Sequence, residues 1–232
     1  MALKPIENDS ANRFTALVIG SAGKGKTSLL RTIPEDERVC VLSAESGLLC
    51  VRDLVESGRV EGFEISSFAD LQDAYMHLME PEQKEAYRWI FIDSLTEVAA
   101  RAVEQMEREF PNPKDAIKMW GQYSKRMTNL IKGFRDMAPY NVVFTCLDDV
   151  DRDELNRRFV GPSMPGKAVK QNLASYFDEV FYLDLFQPEN EEPRRLLVTQ
   201  PINQMPAKDR SGVLDTYERP DLGSIKTKIL GG

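Results

Sequence analysis

Eight residues near the amino terminus have the types and spacing of a phosphate-binding loop. They fit G-x-x-x-x-G-K-[ST] at every fixed position and are Gly20, Ser21, Ala22, Gly23, Lys24, Gly25, Lys26 and Thr27. Glycines let successive backbone N–H groups converge on a phosphate chain without Cβ clashes. In such a loop Lys26 reaches the β- and γ-phosphates, and the hydroxyl of Thr27 reaches Mg²⁺. The sequence therefore predicts a P-loop for a nucleotide and Mg²⁺, continued by Ser28 at the start of a helix.

Two acids follow apolar runs further along the chain. Asp93 closes the run Trp-Ile-Phe-Ile at 89–92, and Glu45 comes shortly after Val-Cys-Val-Leu at 39–42. In parallel sheets ligands lie outside the carboxyl ends of the strands, so both carboxylates are placed to face the phosphates. We expect Asp93 to order the coordination shell of Mg²⁺ and Glu45 to orient the attacking water as the base. For Glu45 a solvated loop acid is the alternative.

The elements that must position these residues alternate between strand and helix patterns. Strands are predicted at 16–19, 39–42, 63–66, 89–93, 141–145 and 178–183, and helices at 48–56, 69–79, 96–110, 116–137 and 173–177. Residues 195–199 are predicted to be an antiparallel partner strand. The pattern predicts an α/β fold with a mostly parallel central sheet, flanked by helices whose apolar stripes, including Trp120, form the core.

Length and composition favour one domain of an ordinary soluble protein. The 232 residues contain no linker-like segment, so we expect a polar, flexible tail at 1–12 and a single domain at 13–232. The net charge of −7 argues against general nucleic-acid coating but permits a local basic groove. The three cysteines lack C-x-x-C spacing, which disfavours a zinc site or a disulfide framework. With no signal-peptide core or membrane-spanning run, we expect a cytoplasmic protein without a membrane partner.

A family resemblance rests on these motifs and on three later segments. Leu42-Ser43-Ala44-Glu45, followed by Ile90-Phe91-Ile92-Asp93-Ser94, resembles the core of RecA-type ATPases. The segments 161–167, 176–180 and 207–212 resemble the bacteriophage RecA-core ATPases, a group that includes single-strand annealing proteins. The resemblance covers approximately residues 12 to 230.

The resemblance implies a RecA-like P-loop fold and an ATP-binding phage recombination protein. Such a protein acts as an oligomer on single-stranded DNA in the host cytoplasm, with the host single-strand binding protein as a further partner. The resemblance makes Glu45 the base, and Lys208 and Arg210 match the Lys-x-cation pair that RecA-like ATPases insert into a neighbouring active site. A basic turn at the surface is the alternative interpretation of that pair.

One departure from the family pattern concerns the strand at 141–145. RecA-like recombinases commonly end it with a polar pair, often Asn-Gln, that senses the γ-phosphate. Cys146 and Leu147 take those positions here, so Asp148 or Thr145 would have to substitute.

The residues 147–172 are expected to be irregular and to form the DNA surface. The five basic residues expected to neutralise backbone phosphates are Arg152, Arg157, Arg158, Lys167 and Lys170. Phe159 is the segment's only aromatic residue, so base stacking should contribute little. Two alternatives stay open: a nucleotide-switched assembly module without DNA, and a phosphotransferase in which residues 151–170 form a lid.

Overall fold

The computed structural model describes residues 13–45, 47–152, 156, 158–188, 192–202 and 204–231, with the side chain of residue 158 left out. The predicted tail at 1–12 lies outside these residues. The strands are β1 (Thr15–Ile19), β2 (Val39–Ser43), β3 (Val60–Glu64), β4 (Trp89–Asp93), β5 (Asn141–Cys146), β6 (Asp148–Arg152), β7 (Arg158–Pro162), β8 (Glu179–Phe186), β9 (Arg194–Val198), β10 (Lys208–Asp209) and β11 (Tyr217–Glu218).

Seven α-helices and four 3₁₀ helices accompany these strands within the described ranges. The α-helices are α1 (Arg52–Glu56), α2 (Phe68–Leu78), α3 (Pro81–Ala86), α4 (Leu95–Glu109), α5 (Ala116–Arg135), α6 (Lys167–Asn172) and α7 (Leu222–Leu230). The 3₁₀ helices are Thr27–Thr32, Leu48–Val51, Pro113–Asp115 and Leu173–Tyr176. No helix in the described part of the chain is both long and apolar enough to cross a bilayer.

The central sheet has the strand order β11-β9-β8-β1-β5-β4-β2-β3, with β10 paired to β8 outside this path. Every pair from β8 through β3 is parallel, whereas β9, β10 and β11 pair antiparallel. The prediction of a mostly parallel sheet with an antiparallel C-terminal edge is therefore confirmed.

Alternating side chains of the buried strands enter two separate cores. Leu17 and Ile19 of β1 face the core that contains α2, α4 and α5. Ala16 and Val18 face a smaller core, made with the 3₁₀ helix Thr27–Thr32 and with α7. Because both faces are covered, the central strands are apolar along most of their length.

The strand register brings the predicted site residues to one edge of the sheet. Ile19, which precedes the P-loop, pairs with Cys146, and Ser43 pairs with Asp93. Since these strands are parallel, the segments after β1, β2, β4 and β5 all leave the sheet at this carboxyl edge.

The prediction that residues 147–172 are irregular was wrong. They contain the hairpin β6–β7, the antiparallel sheet in which Val150 pairs with Val160, followed by α6. The strand β6 reads Asp-Asp-Val-Asp-Arg, so its single apolar residue gave no strand periodicity.

Smaller details also differ from the expectations. The strand β3 begins three residues and ends two residues before the predicted strand 63–66, because this edge strand fully buries only Val60. The helix predicted after the P-loop is a 3₁₀ helix, and α3 was not predicted. The segment 207–212 contains the short strand β10, and Trp120 is 39% exposed while Met119 takes the buried position.

Candidate functional site

The P-loop connects β1 to the 3₁₀ helix and depends on its glycines. Gly25 has φ +100°, a backbone conformation that residues with a Cβ rarely adopt. A Cβ on Gly20 would lie 2.5 Å from the carbonyl oxygen of Leu183 on β8. The first glycine thus permits close strand packing, and the later one permits the turn.

Lys26 is folded into its own loop and almost fully buried. Its Nζ donates hydrogen bonds to the carbonyl oxygens of Gly20 (2.7 Å) and Ser21 (3.0 Å). Burial lowers the pKa of Lys26, and the negative charges of Glu45 and Asp93 oppose that shift. An ammonium carries three donors, so a phosphate oxygen can be bound with little rearrangement of the loop.

The carboxylate of Asp93 is fixed by hydroxyl groups from two other elements. The hydroxyl of Thr27 donates to Oδ2 at 2.7 Å, and the hydroxyl of Thr145 donates to Oδ1 at 2.5 Å. Hydroxyl and carboxylate oxygens are the ligands that Mg²⁺ prefers, so Thr27 and Asp93 fit this ion. No group of three or more potential metal ligands among His, Cys, Asp and Glu occurs in the described ranges.

Glu45 lies beside Thr27 and Asp93, on the loop after β2. Its Oε1 accepts a hydrogen bond from the hydroxyl of the buried Ser94, and the preceding Ala44 N–H donates to the carbonyl of Asp93 at 2.7 Å. The predicted base and the predicted metal ligand are therefore held together by both backbone and side-chain contacts.

These groups surround one cavity of about 650 Å³ at the carboxyl edge of the sheet. Its lining comprises Ala22, Gly23, Gly25, Lys26, Thr27, Ser28, Ala44, Glu45, Cys50, Asp93, Glu97, Arg101 and Leu147. The structure thus brings most of the P-loop together with both acids. Sequence reasoning missed Glu97 and Arg101, although their spacing of four residues on a helix places them on one face.

The two residues expected to substitute for the missing polar pair are Thr145, near the end of β5, and Asp148, at the start of β6. Thr145 contacts Asp93, as described above. Asp148 accepts hydrogen bonds through Oδ2 from the hydroxyls of Ser21 (2.9 Å) and Tyr182 (2.7 Å). Cys146 is buried, and burial raises the pKa of its thiol to about 11, so the thiol is neutral. That Asp148 or Thr145 senses the γ-phosphate in place of the missing polar pair stays a prediction.

Lys208 and Arg210 lie far from the cavity of their own chain. Lys208 pairs with Val180 near the first residue of β8. This is the side of the sheet where the parallel strands begin, whereas the P-loop lies on the side where they end. Its Nζ donates to the carbonyl of Phe177 at 2.5 Å, and Arg210 forms a 2.5 Å ion pair with Asp178. These two cations therefore do not join the site within one chain.

The residues predicted to bind DNA lie on and beside the hairpin. Arg152 is exposed at the end of β6 and donates to Asn156, and Lys167 is exposed at the start of α6. Lys170 forms ion pairs with Asp149 (2.9 Å) and Asp151 (3.2 Å) of β6. Arg157 and the side chain of Arg158 lie outside the described part of the structure.

Comparison with known proteins found a matching family model and similar solved structures. The model of a family described as an AAA domain matches residues 12–211. No curated protein sequence matched the chain. Among solved structures, the flagellar accessory protein FlaH from Methanocaldococcus jannaschii is similar, with 11% sequence identity, coverage of 88% of this chain and 83% of that chain, and a TM-score of 0.44.

Proposed function

The chain belongs to the family of AAA domains, and we propose that it is a Mg²⁺-dependent ATPase with Glu45 as its general base. One observation carries this proposal. A single cavity is lined by the P-loop residues Lys26 and Thr27, by Asp93 bonded to Thr27, and by Glu45 bonded to the residue after Asp93.

The proposed reaction is in-line hydrolysis of the γ-phosphate. The oxygen of a water molecule forms a bond to the γ-phosphorus while the bond to the β–γ bridging oxygen breaks, and ADP leaves with the electron pair. Glu45 orients the water and accepts its proton, which then passes to solvent. The backbone of the P-loop and the Lys26 ammonium bind the phosphates and stabilise their charge. Mg²⁺, held by Thr27 and Asp93 when bound, neutralises phosphate charge.

We further propose that hydrolysis requires assembly of several copies. Lys208 and Arg210 lie at one edge of the sheet and the cavity at the opposite edge. Contact between them therefore joins different surfaces of two subunits, which generates a ring or a helical filament rather than a twofold dimer. A cation supplied by the neighbour would stabilise charge on the transferred phosphoryl group.

The finer proposal is a phage recombination protein that anneals or pairs single-stranded DNA, with the host single-strand binding protein as a further partner. Its support is the sequence resemblance and the position of the hairpin β6–β7, on which Arg152 is exposed. The strand β6 begins at Asp148, which is hydrogen-bonded to Ser21 of the P-loop. DNA bound along the hairpin would thus lie close to the nucleotide.

A second candidate is a nucleotide-switched assembly module that does not bind DNA. The ion pairs of Lys170 favour it, because Asp149 and Asp151 already compensate one of the five cations assigned to DNA. The phosphotransferase alternative has no comparable support.

The deciding experiment measures ATP hydrolysis by the full chain with and without single-stranded DNA, at two salt concentrations. Lys26→Ala is the blank, and Glu45→Gln should bind ATP but hydrolyse it slowly. Stimulation by DNA that decreases with salt supports the recombination proposal. An ATP hydrolysis rate that is the same with and without DNA supports the assembly module. ATP affinity unchanged by Lys26→Ala, or turnover unchanged by Glu45→Gln, contradicts the ATPase mechanism.

A further inference from the structure

Arg101 lies in the wall of the nucleotide cavity, although no phosphate-binding motif includes it. It follows Glu97 by one turn on α4, and both residues line the cavity. The helix α4 begins directly after Ser94, so the hydroxyl that contacts Glu45 immediately precedes the helix that carries Arg101.

The guanidinium of Arg101 connects two loops that leave neighbouring strands. Its Nη2 donates to the carbonyl oxygen of Ala44 at 3.0 Å, and its Nη1 donates to the carbonyl oxygen of Ser66 at 3.1 Å. Ala44 immediately precedes Glu45, and Ser66 follows β3. The bonds are charge-assisted, which makes them stronger than bonds between neutral groups.

Ala44 is consequently held through both of its backbone polar groups. Its N–H donates to the carbonyl of Asp93 at 2.7 Å, and its C=O accepts from Arg101. Ala44 is buried, whereas Glu45 is exposed, so packing alone does not fix the glutamate. The carboxylate of Glu45 is held by the hydroxyl of Ser94, and the backbone of the preceding residue, Ala44, is held by Arg101.

We propose that Arg101 is a positioning residue for ATP hydrolysis, because it fixes Ala44 and thereby directs the carboxylate of Glu45 towards the attacking water. This inference rests on the proposed ATPase function. A lysine cannot replace it fully, since only the planar guanidinium presents two directed donors to two carbonyls.

The test measures single-turnover ATP hydrolysis and, separately, affinity for a fluorescent ATP analogue. The variants are Arg101→Ala, Arg101→Lys, Glu45→Gln and the double variant Glu45→Gln/Arg101→Ala. Arg108→Ala is the matched control, because Arg108 lies on the same helix with an exposed side chain paired to Glu104.

Arg101→Ala should slow hydrolysis about 10- to 100-fold while ATP affinity stays within about threefold, since misplacement of a catalytic group costs rate rather than binding. Arg101→Lys should recover part of that loss, and Arg108→Ala should match the wild type. In the Glu45→Gln background the loss of Arg101 should change the rate less than about twofold, because the two residues act as one unit.

Three results would overturn the inference: wild-type hydrolysis by Arg101→Ala, an equal loss in the Glu45→Gln background, or a parallel loss of ATP affinity. If Arg101→Ala fails to fold, Arg101→Lys carries the same comparison alone and with Glu45→Gln. Failure of the ATPase proposal looks different, because wild type and Glu45→Gln would then hydrolyse ATP equally slowly whatever residue stands at position 101.

Discussion

The hydroxyl oxygen of Thr27 lies 2.7 Å from Oδ2 of Asp93, although 66 residues separate them in the chain. The contact joins the P-loop at the end of β1 to the end of β4, across the intervening strand β5. Both oxygens are of the kind that Mg²⁺ prefers, and the hydrogen bond already holds them together in the protein alone.

Replacing Thr27 by Val should weaken binding of Mg²⁺-ATP far more than binding of metal-free ATP. Valine has a similar shape but lacks the hydroxyl, and a hydrogen bond to a charged group contributes about 1.5 to 3 kcal/mol, or roughly 10- to 100-fold in affinity. Titration with a fluorescent ATP analogue, with Mg²⁺ and with EDTA, measures both affinities. The exposed Thr227→Val is the control, and an equal loss in EDTA would contradict a metal-binding role for Thr27.

Mixing two inactive variants should restore hydrolysis if Lys208 and Arg210 act on a neighbouring subunit. Lys26→Ala destroys a subunit's cavity but keeps its cations, whereas Arg210→Ala does the reverse. In an equal mixture about a quarter of the interfaces combine an intact cavity with an intact neighbour, so roughly a quarter of the wild-type rate should return.

The matched control for this mixing experiment is an equal mixture of the two single variants Lys26→Ala and Glu45→Gln. Both substitutions damage the same cavity, so an interface that joins these subunits never contains an intact cavity. Restored activity in the control, or none in the Lys26→Ala and Arg210→Ala mixture, would refute the assignment of Arg210 to the neighbour's site.

The motifs on the central strands could be predicted from sequence because each combines a continuous apolar run with a local pattern. Buried on both faces, β1 and β4 display apolar residues that end at the P-loop and at Asp93, so local chemistry and position coincide. These features depend on few residues that are adjacent in the chain.

The supporting contacts could not be predicted, because they join residues far apart in sequence. Ser94 contacts Glu45 across 49 positions, and Arg101 contacts Ala44 across 57. The pairing of Lys170 with Asp149 depends on a hairpin whose polar strand β6 has no apolar periodicity. These contacts become visible only in the folded structure, where the strand pairing brings the residues together.

Removing individual cations should distinguish the basic residues that contact DNA phosphates from those that stabilise the hairpin. Lys167→Ala should reduce the slope of log affinity for single-stranded DNA against log salt by about 0.7, as expected for one lost phosphate contact. Lys170→Ala should change this slope less, because Asp149 and Asp151 already compensate its charge. Fluorescence anisotropy with a labelled oligonucleotide measures both slopes.

Lys84→Ala is the control for the DNA measurement, since α3 leads into the amino end of β4, away from the hairpin. An unchanged slope for Lys167→Ala would remove α6 from the DNA surface. Equal slopes for all three variants, together with weak binding, would favour the assembly module.

Glu179 should make the protein less stable as the pH rises above about 5. The residue begins β8 with only 2% exposure, and burial together with the charge of Asp209 raises its pKa from 4.5 to about 7. Between these values the folded state binds more protons than the unfolded state, so the free energy of unfolding falls with increasing pH.

Glu179→Gln is neutral at every pH, so it should match the wild type near pH 5. At pH 8 it should be more stable by about 1 to 3 kcal/mol. Urea unfolding at both pH values measures the difference, with the exposed Glu85→Gln as control. If the advantage of Glu179→Gln is the same at pH 5 and pH 8, Glu179 is not the titrating group.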